Sequence, residues 1–310
     1  MAASPNVLDL ASMSVERMNE LLDGAEQLRD GILTGDPLLA KKLDGRLIAN
    51  LFFENSTRTR CSFETAAKRL GAGVINLGST SSVTKGETLV DTATNIAAMG
   101  VDALVVRCGA SGGPAMIADA VSIPVINAGD GLCEHPTQGL LDLLTICRHC
   151  GSRDLTGHTV AIVGDIAHSR VARSNLHAVT ACGGDVILVG PEAMVPPEIA
   201  QIPVDRAGSV TILHDLDAAL ESADVVMMLR VQFERDASIG DDYRQNFALT
   251  INRRSTMGDG VAILHPGPIN RGLEIDPEVA DGRGSMILEQ VANGVAIRAA
   301  ILLDLLGNPS

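Results

Sequence analysis

Residues 46–60 read Arg-Leu-Ile-Ala-Asn-Leu-Phe-Phe-Glu-Asn-Ser-Thr-Arg-Thr-Arg. An apolar run the length of one buried strand, 46–53, gives way to a Ser/Thr/Arg cluster that opens a helical pattern over 57–70. Gly71 is placed to stop that helix, as Gly100 stops the next one over 87–99. The same strand-to-helix alternation recurs along the chain. Short β-branched runs lie at 74–77, 103–107, 125–127, 160–163, 186–189, 225–229 and 261–264, with helical patterns at 136–150 and 286–306. Alternation of this kind predicts an α/β chain with mainly parallel, doubly wound sheets covered by helices on both faces. The polar, Gly-containing stretch 151–157 marks a boundary, and a new strand–helix series starts at Thr159. The last helix, 286–306, carries Leu288, Val291, Val295, Leu302 and Leu306, read as core packing.

Composition agrees with two domains. A chain of 310 residues is too long for a typical single core. It has no Trp, one Tyr and five Phe, so its cores are built from Ala, Val, Ile and Leu, which suits buried parallel strands. The net charge of −14 argues against nucleic acid or an anionic membrane as the main partner. Anionic ligands would be attracted by a few focused arginines and not by the overall field. No stretch reaches the roughly 18 uninterrupted apolar residues of a membrane span. Residues 1–9 show neither the basic start nor the apolar core of a secretory signal, so a cytoplasmic location is expected. Of the six cysteines only Cys147 and Cys150 have CxxC spacing, and no second pair completes a zinc set. Their reading is structural or incidental; no metal and no cofactor is expected.

The polar residues cluster after the strands, where open α/β sheets hold ligands. Ser56, Thr57, Arg58 and Thr59 stand at a helix start, where free N–H groups and the helix dipole favour an anion. They read as a phosphate cradle, or as an ordinary N-cap with a solvated Arg pair. The stretch 81–88, Ser-Ser-Val-Thr-Lys-Gly-Glu-Thr, is a lid bringing Lys85 to an anion or a solvated loop. Arg107 ends an apolar run, and the glycines after it lack the Lys-Ser/Thr ending of a P-loop. Pro136 suits a first helical position, which puts His135 at a helix start, where the dipole favours neutral imidazole, with Gln138 one turn on. In the second half, Gly164-Asp165-Ile166-Ala167-His168-Ser169-Arg170 imitates a dinucleotide turn with too few glycines. Arg230-Val231-Gln232 follows 225–229, and His265-Pro266-Gly267-Pro268 follows 261–264. Two arginines at separate strand ends suit a small dicarboxylate, which guanidinium binds in bidentate fashion. The plain alternative for each is a surface ion pair.

Taken together, these residues resemble the aspartate/ornithine carbamoyltransferase family, in order and over nearly the whole chain. Residues 56–60 resemble its carbamoyl-phosphate signature; 85–88 and 135–138 resemble its other two N-terminal motifs. Ornithine members usually carry His-Pro-Cys-Gln, Asp-Ser-Met-Gly and His-Cys-Leu-Pro. This chain has Thr137, Ser255-Thr256-Met257-Gly258 and His265-Pro266-Gly267-Pro268 instead, and Arg230-Val231-Gln232 resembles the Arg-x-Gln of the aspartate branch. Some aspartate members have Leu where Gly267 stands. A cis bond is expected before Pro268.

The resemblance implies that a carbamoyl group passes from carbamoyl phosphate to the amino group of L-aspartate, an early step of pyrimidine synthesis. It implies a carbamoyl-phosphate-binding domain over 1–150, completed by the C-terminal helix 286–310 returning to it, and an aspartate-binding domain over 151–285. Ser56, Thr57, Arg58 and Thr59 would hold phosphate. Thr59, Arg107 and His135 would stabilise the carbamoyl oxyanion, and Gln138 would orient the carbamoyl NH2. Arg170 would take the α-carboxylate, with Arg230 and Gln232 on the β-carboxylate. Backbone carbonyls at Gly267 and Pro268 would accept from the carbamoyl NH2 and the attacking amine. The resemblance also implies a homotrimer in which Lys85 reaches a neighbour's site, with a regulatory or dihydroorotase-like subunit left open. Three rivals stand beside this reading: a carbamoyltransferase for another amino acid such as ornithine, a nicotinamide-binding oxidoreductase, and a non-catalytic subunit.

Overall fold

A computed structural model describes residues 6–78, 86–202, 207–231 and 241–307. The chain divides into two compact units. One comprises residues 1–141 and 292–310; the other comprises residues 142–291.

The first unit is built on a four-stranded sheet of β1 (Leu47–Phe52), β2 (Gly73–Gly78), β3 (Ala103–Cys108) and β4 (Val125–Asp130), in the order β2-β1-β3-β4. Its helices are α1 (Val15–Thr34), α2 (Thr57–Arg69), α3 (Leu89–Ala97), α4 (Gly113–Ala120) and the start of α5 (Pro136–Cys150). The second unit carries β5 (Thr159–Val163), β6 (Asp185–Val189), β7 (Val210–Leu213), β8 (Val225–Met228) and β9 (Ala262–Leu264), in the order β7-β6-β5-β8-β9. Here the helices are α6 (Arg170–Ala181), α7 (Leu216–Leu220), α8 (Asp241–Phe247), α9 (Ile251–Thr256) and α10 (Pro277–Ala280). The last helix, α11 (Ile287–Leu306), returns the chain to the first unit.

Every pairing between these strands is parallel. Parallel sheets need cover on both faces, and the residues supply it. Ala49, Leu51, Leu104 and Val106 face one way and pack with Ala93 and Ile96 of α3 and Ile117 of α4. The alternate residues Ile48, Phe52 and Val105 point to the opposite face and are buried as well. Asn50, buried among them, donates its amide N–H to Asn76 Oδ1 on β2 at 2.9 Å, while its own Oδ1 has no hydrogen-bond partner among the described residues. The doubly wound α/β architecture expected from the alternation is present in both units. One strand escaped the sequence reading: β7 is four residues long and only partly buried at a sheet edge.

The last helix corrects a second expectation. Leu302 and Leu306 are in the core, but Leu288 is 82% exposed and Val291 53% exposed. The first turns of α11 bury Gln290 and Asn293 in their place. Each amide has partners that make burial tolerable: Asn293 Oδ1 accepts from Arg29 Nε at 2.9 Å, and Gln290 Nε2 donates to Asp142 Oδ1 at 2.7 Å. Hydrophobicity alone misassigns such a helix, because paired polar groups can take the inside face.

Gly71 and Gly100 both adopt left-handed backbone, with φ of 90° and 84°. Around Gly100 the space is open, whereas a Cβ at Gly71 would lie 2.0 Å from the Ala40 carbonyl oxygen. Gly100→Ala should therefore cost only about 1 kcal/mol of conformational strain. Gly71→Ala should cost roughly 2–4 kcal/mol, because backbone must also move. Thermal midpoints of the two variants measured side by side check this; equal shifts would refute it.

Candidate functional site

In each sheet the chain starts at an interior strand and its successors pair on opposite sides. β1 has β2 on one side and β3 on the other, while β5 has β6 and β8. At such a reversal the loops leaving two neighbouring strands part in opposite directions, and a crevice opens at the carboxyl ends. The residues after β1 and β3, and after β5 and β8, therefore face their sheet's crevice.

In the first unit, β1 leads through Glu54 and Asn55 to Ser56, the N-cap of α2, whose hydroxyl makes no capping bond. No acidic side chain occupies the first turn of α2. Thr57 and Arg58 are exposed there, whereas Thr59 is buried. Arg107 pairs in register with Phe52 across the β1–β3 ladder, and its backbone carbonyl accepts from Phe53 N at 2.8 Å. Its guanidinium is held from two sides: Nη1 donates to the Ala128 carbonyl at 3.0 Å, and Nε lies 3.7 Å from Glu54 Oε2. β4, the next strand, leads to His135, whose carbonyl accepts from Gln138 N at 2.9 Å and Gly139 N at 3.1 Å at the start of α5. The His135 and Gln138 side chains are buried, with Thr137 Oγ1 3.5 Å from His135 Nδ1. Ser56, Thr57, Arg58, Thr59, Arg107, His135 and Gln138 thus share one edge of one sheet.

Residues that sequence reasoning passed over hold this edge in place. Buried Glu134 takes the backbone N–H groups of Leu10 at 2.9 Å and Ala11 at 3.1 Å. Asp130 accepts from Gly112 N at 2.7 Å, Glu134 N at 3.0 Å and Asn127 Nδ2 at 3.0 Å. The loop before His135 is thereby tied to the N-terminal segment and to the β3–α4 connection. Arg298 on α11, also buried, donates to Ser62 Oγ of α2 at 2.8 Å and to Thr137 Oγ1 of α5 at 3.4 Å. Its guanidinium carbon lies 5.2 Å from the centre of the Phe63 ring. One cation thus joins the second turn of α2 to the first turn of α5. Its only signal in the sequence was a single basic residue within a largely apolar helix.

In the second unit, Gly164 ends β5 at a φ of 137°, with its N–H on the Val189 carbonyl at 2.8 Å. Asp165 and His168 pair at 2.9 Å, and Ser169 caps α6 by accepting from Ala172 N at 3.1 Å. Arg170 is the first residue of that helix, and its first turn again lacks an acidic side chain. Arg230 follows β8, and His265 to Pro268 follow β9. The Gly267–Pro268 bond is cis, as expected, with Gly267 in left-handed backbone. Arg170, Arg230, Gly267 and Pro268 follow three adjacent strands at one sheet edge. Tyr243 is buried near this edge; desolvation, then the charges of Glu274 and Asp165, push its hydroxyl above its ordinary range. Lys85 and Gln232 lie outside the described residues.

Cys147 is buried in α5, and desolvation, reinforced by the nearby Cys182 thiol, pushes it up to about 12. A thiol this reluctant to ionise is a poor nucleophile and a poor redox group, consistent with a packing role for the CxxC pair. An open groove of about 400 Å3 lies elsewhere in the second unit, beside Asp217, Arg244 and Arg253. Arg253 is engaged there by both Asp217 oxygens, at 2.7 and 3.1 Å. None of the candidate residues lines this groove.

Similarity to known proteins falls in two successive stretches of the chain. A family model described as the carbamoyl-P binding domain of aspartate/ornithine carbamoyltransferase matches residues 6–148. One described as the Asp/Orn binding domain matches residues 156–305. The chain is 49% identical over 302 residues to a Myxococcus xanthus protein named aspartate carbamoyltransferase catalytic subunit, covering 96% of this chain and 98% of that one. It is 48% identical over 307 residues to a Geotalea uraniireducens protein of the same name, covering 97% and 96%. Among solved structures, aspartate transcarbamoylase from Trypanosoma cruzi in complex with carbamoyl phosphate and aspartate superposes with a TM-score of 0.88 at 29% identity, covering 98% of this chain and 96% of that one. Ornithine carbamoyltransferase from Pyrococcus furiosus gives 0.88 at 28% identity, covering 99% of both. This chain belongs to the aspartate/ornithine carbamoyltransferase family.

Proposed function

We propose that this chain is an aspartate carbamoyltransferase catalytic chain, transferring the carbamoyl group of carbamoyl phosphate to L-aspartate in pyrimidine synthesis. The observation that carries the reading is that each of the two units has a cationic sheet edge. One has a helix start bearing Ser56, Thr57, Arg58 and Thr59 beside Arg107, and the other has Arg170 and Arg230 after adjacent strands. Two anionic substrates call for two such ends. The choice of aspartate over ornithine is supported by identities of 47–49% to curated relatives named for aspartate. Arg230 also suits a β-carboxylate better than an ammonium group.

In this reading the first unit binds carbamoyl phosphate and the second binds aspartate. Phosphate rests on the N–H groups and hydroxyls of residues 56–59 and on the Arg58 guanidinium. The amine of aspartate attacks the carbamoyl carbon, and charge grows on the carbamoyl oxygen, where Thr59, Arg107 and His135 donate. Gln138 orients the carbamoyl NH2, and the carbonyls of Gly267 and Pro268 accept from that NH2 and from the amine. The C–N bond forms as the C–O bond to phosphate breaks, and the departing phosphate takes the amine's proton. Arg170 holds the α-carboxylate; Arg230 and Gln232 hold the β-carboxylate. The chemistry assigned to the protein is positioning and electrostatic stabilisation, with no covalent intermediate. A cytoplasmic homotrimer that shares Lys85 between neighbours is part of the reading, supported by the family resemblance.

Phosphate release from carbamoyl phosphate should require L-aspartate; activity with L-ornithine alone would overturn the choice of co-substrate. Arg107→Ala and His135→Ala should each lower kcat on the order of 10²–10³-fold, about 3–4 kcal/mol in barrier, as loss of an oxyanion donor does. Variants that raise KM alone would place these residues in binding only. Mixing inactive Lys85→Ala with inactive Arg58→Ala subunits should restore activity in mixed trimers. No recovery in trimers verified as mixed would refute a shared site.

A further inference from the structure

The side chains of His265 and Glu274 are fully buried, and the bonds they make run through His265 Nδ1 and Nε2 and through Glu274 Oε1, while Glu274 Oε2 has no hydrogen-bond partner among the described residues. His265 Nδ1 accepts the backbone N–H of Gly267 at 2.8 Å. That bond needs a lone pair on Nδ1, so the ring proton sits on Nε2 and is donated to Glu274 Oε1 at 3.1 Å. The same Oε1 accepts the backbone N–H of Asn270 at 2.6 Å, and the Asn270 amide donates to the Val231 carbonyl at 2.8 Å. The line continues on the other side of His265. Its backbone N–H bonds Gln290 Oε1 at 2.9 Å, and Gln290 Nε2 bonds Asp142 Oδ1 at 2.7 Å. Asp142 Oδ2 accepts from Asn175 of α6 at 2.8 Å. One series of buried and part-buried bonds therefore connects the segment after β8, the turn after β9 and the helix that starts at Arg170.

We infer that His265, Glu274 and Asn270 are positioning residues for the aspartate end of the site. Glu274 fixes the tautomer of His265; His265 then fixes the Gly267–Pro268 turn, and Asn270 fixes the carbonyl between Arg230 and Gln232. The inference rests on the proposed function for its kinetic consequences and on the geometry alone for its structural ones. Each bond in the series holds the segments it joins, so removal of one donor should loosen a chosen segment without unfolding the unit.

The test combines hydrogen exchange with kinetics on the full-length protein. Asn270→Ala removes the donor to Val231 and leaves the backbone bond to Glu274. Its amides at 229–231 should exchange about tenfold faster while β5 stays protected, the loss of one hydrogen bond being worth roughly that factor. KM for aspartate should rise about tenfold, with KM for carbamoyl phosphate within about twofold. His265→Asn places a side-chain oxygen near the Nδ1 position; His265→Leu does not. Gly267 should therefore exchange faster, and kcat fall further, in the Leu variant than in the Asn variant. Glu274→Gln keeps an oxygen for both donors and should stay near wild type, whereas Glu274→Leu should show both defects. Unchanged exchange at 229–231 and Gly267, or faster exchange spread evenly over the second unit, would overturn the inference whatever the enzyme's substrate. Local loosening with unchanged aspartate KM in an enzyme active on aspartate would also overturn it. Wild-type protein inactive on aspartate would instead refute the proposed function, and the exchange data would still decide the positioning role.

Discussion

A buried parallel strand cannot carry charge along its length, and in this chain that constraint decides where chemistry can occur. β1, β3, β4, β5, β6, β8 and β9 are buried almost throughout. An unpaired ion on any of them would face several kcal/mol of desolvation. The candidate cations Arg107 and Arg230 stand at strand ends, and the reversal of strand order selects which ends share a crevice. Arg107 shows how narrow the margin is. It is still part of β3, in register with Phe52, and its guanidinium is tolerated because Ala128 and Glu54 meet it where the strands part. A similarly apolar sheet without the reversal would have the same stability and no crevice in which to converge.

What lies behind those ends is polar as well. Asp130, Glu134 and Arg298 in the first unit, and Asp142, His265, Glu274 and Gln290 in the second, are buried groups that make no apolar contribution. Each carries two or more bonds, many of them between segments distant in sequence. Glu134, for example, reaches Leu10 across 124 positions. Such networks contribute little net stability, but they leave few alternative arrangements for the loops they join. For catalysis by positioning, loop geometry matters more than an extra increment of stability.

The strands and the candidate site were legible in the sequence to the extent that their signals are local. A β-branched run followed by Ser, Thr, Gly or Arg carries its own meaning, and eight of the nine strands among the described residues were found from it. β7 was missed because four partly exposed residues give no run. The inward side of α11 was misread because Gln290 and Asn293 are buried through partners on other elements, which no periodicity records. The same reason hid Arg298, Glu274 and Asn270. His265 was quoted only as the start of a motif, and its pairing with Glu274 becomes visible once the chain has folded back over nine residues. The residues that would touch substrate were legible as a set; those that hold them were not.

The two arginine-bearing helix starts show how the site is charged. Acidic side chains stabilise the first turn of a helix and cations destabilise it, by about 0.3–1 kcal/mol each. α1 has Glu16 in its first turn, α3 has Asp91 and α11 has Glu289. α2 and α6 reverse the pattern: Arg58 and Arg60 open one, Arg170 and Arg173 the other, and neither has an acidic residue there. Fold stability would remove these arginines, and a net charge of −14 shows that acidic residues are plentiful elsewhere in the chain. The local disadvantage is reversed when an anion arrives, because the ligand meets dipole, N–H groups and guanidinium together. In the proposed function, an anion at each helix start would offset this local electrostatic cost. The same two helices follow β1 and β5, the strands at which the order of each sheet reverses, so the fold that opens each crevice also sets arginines at its edge.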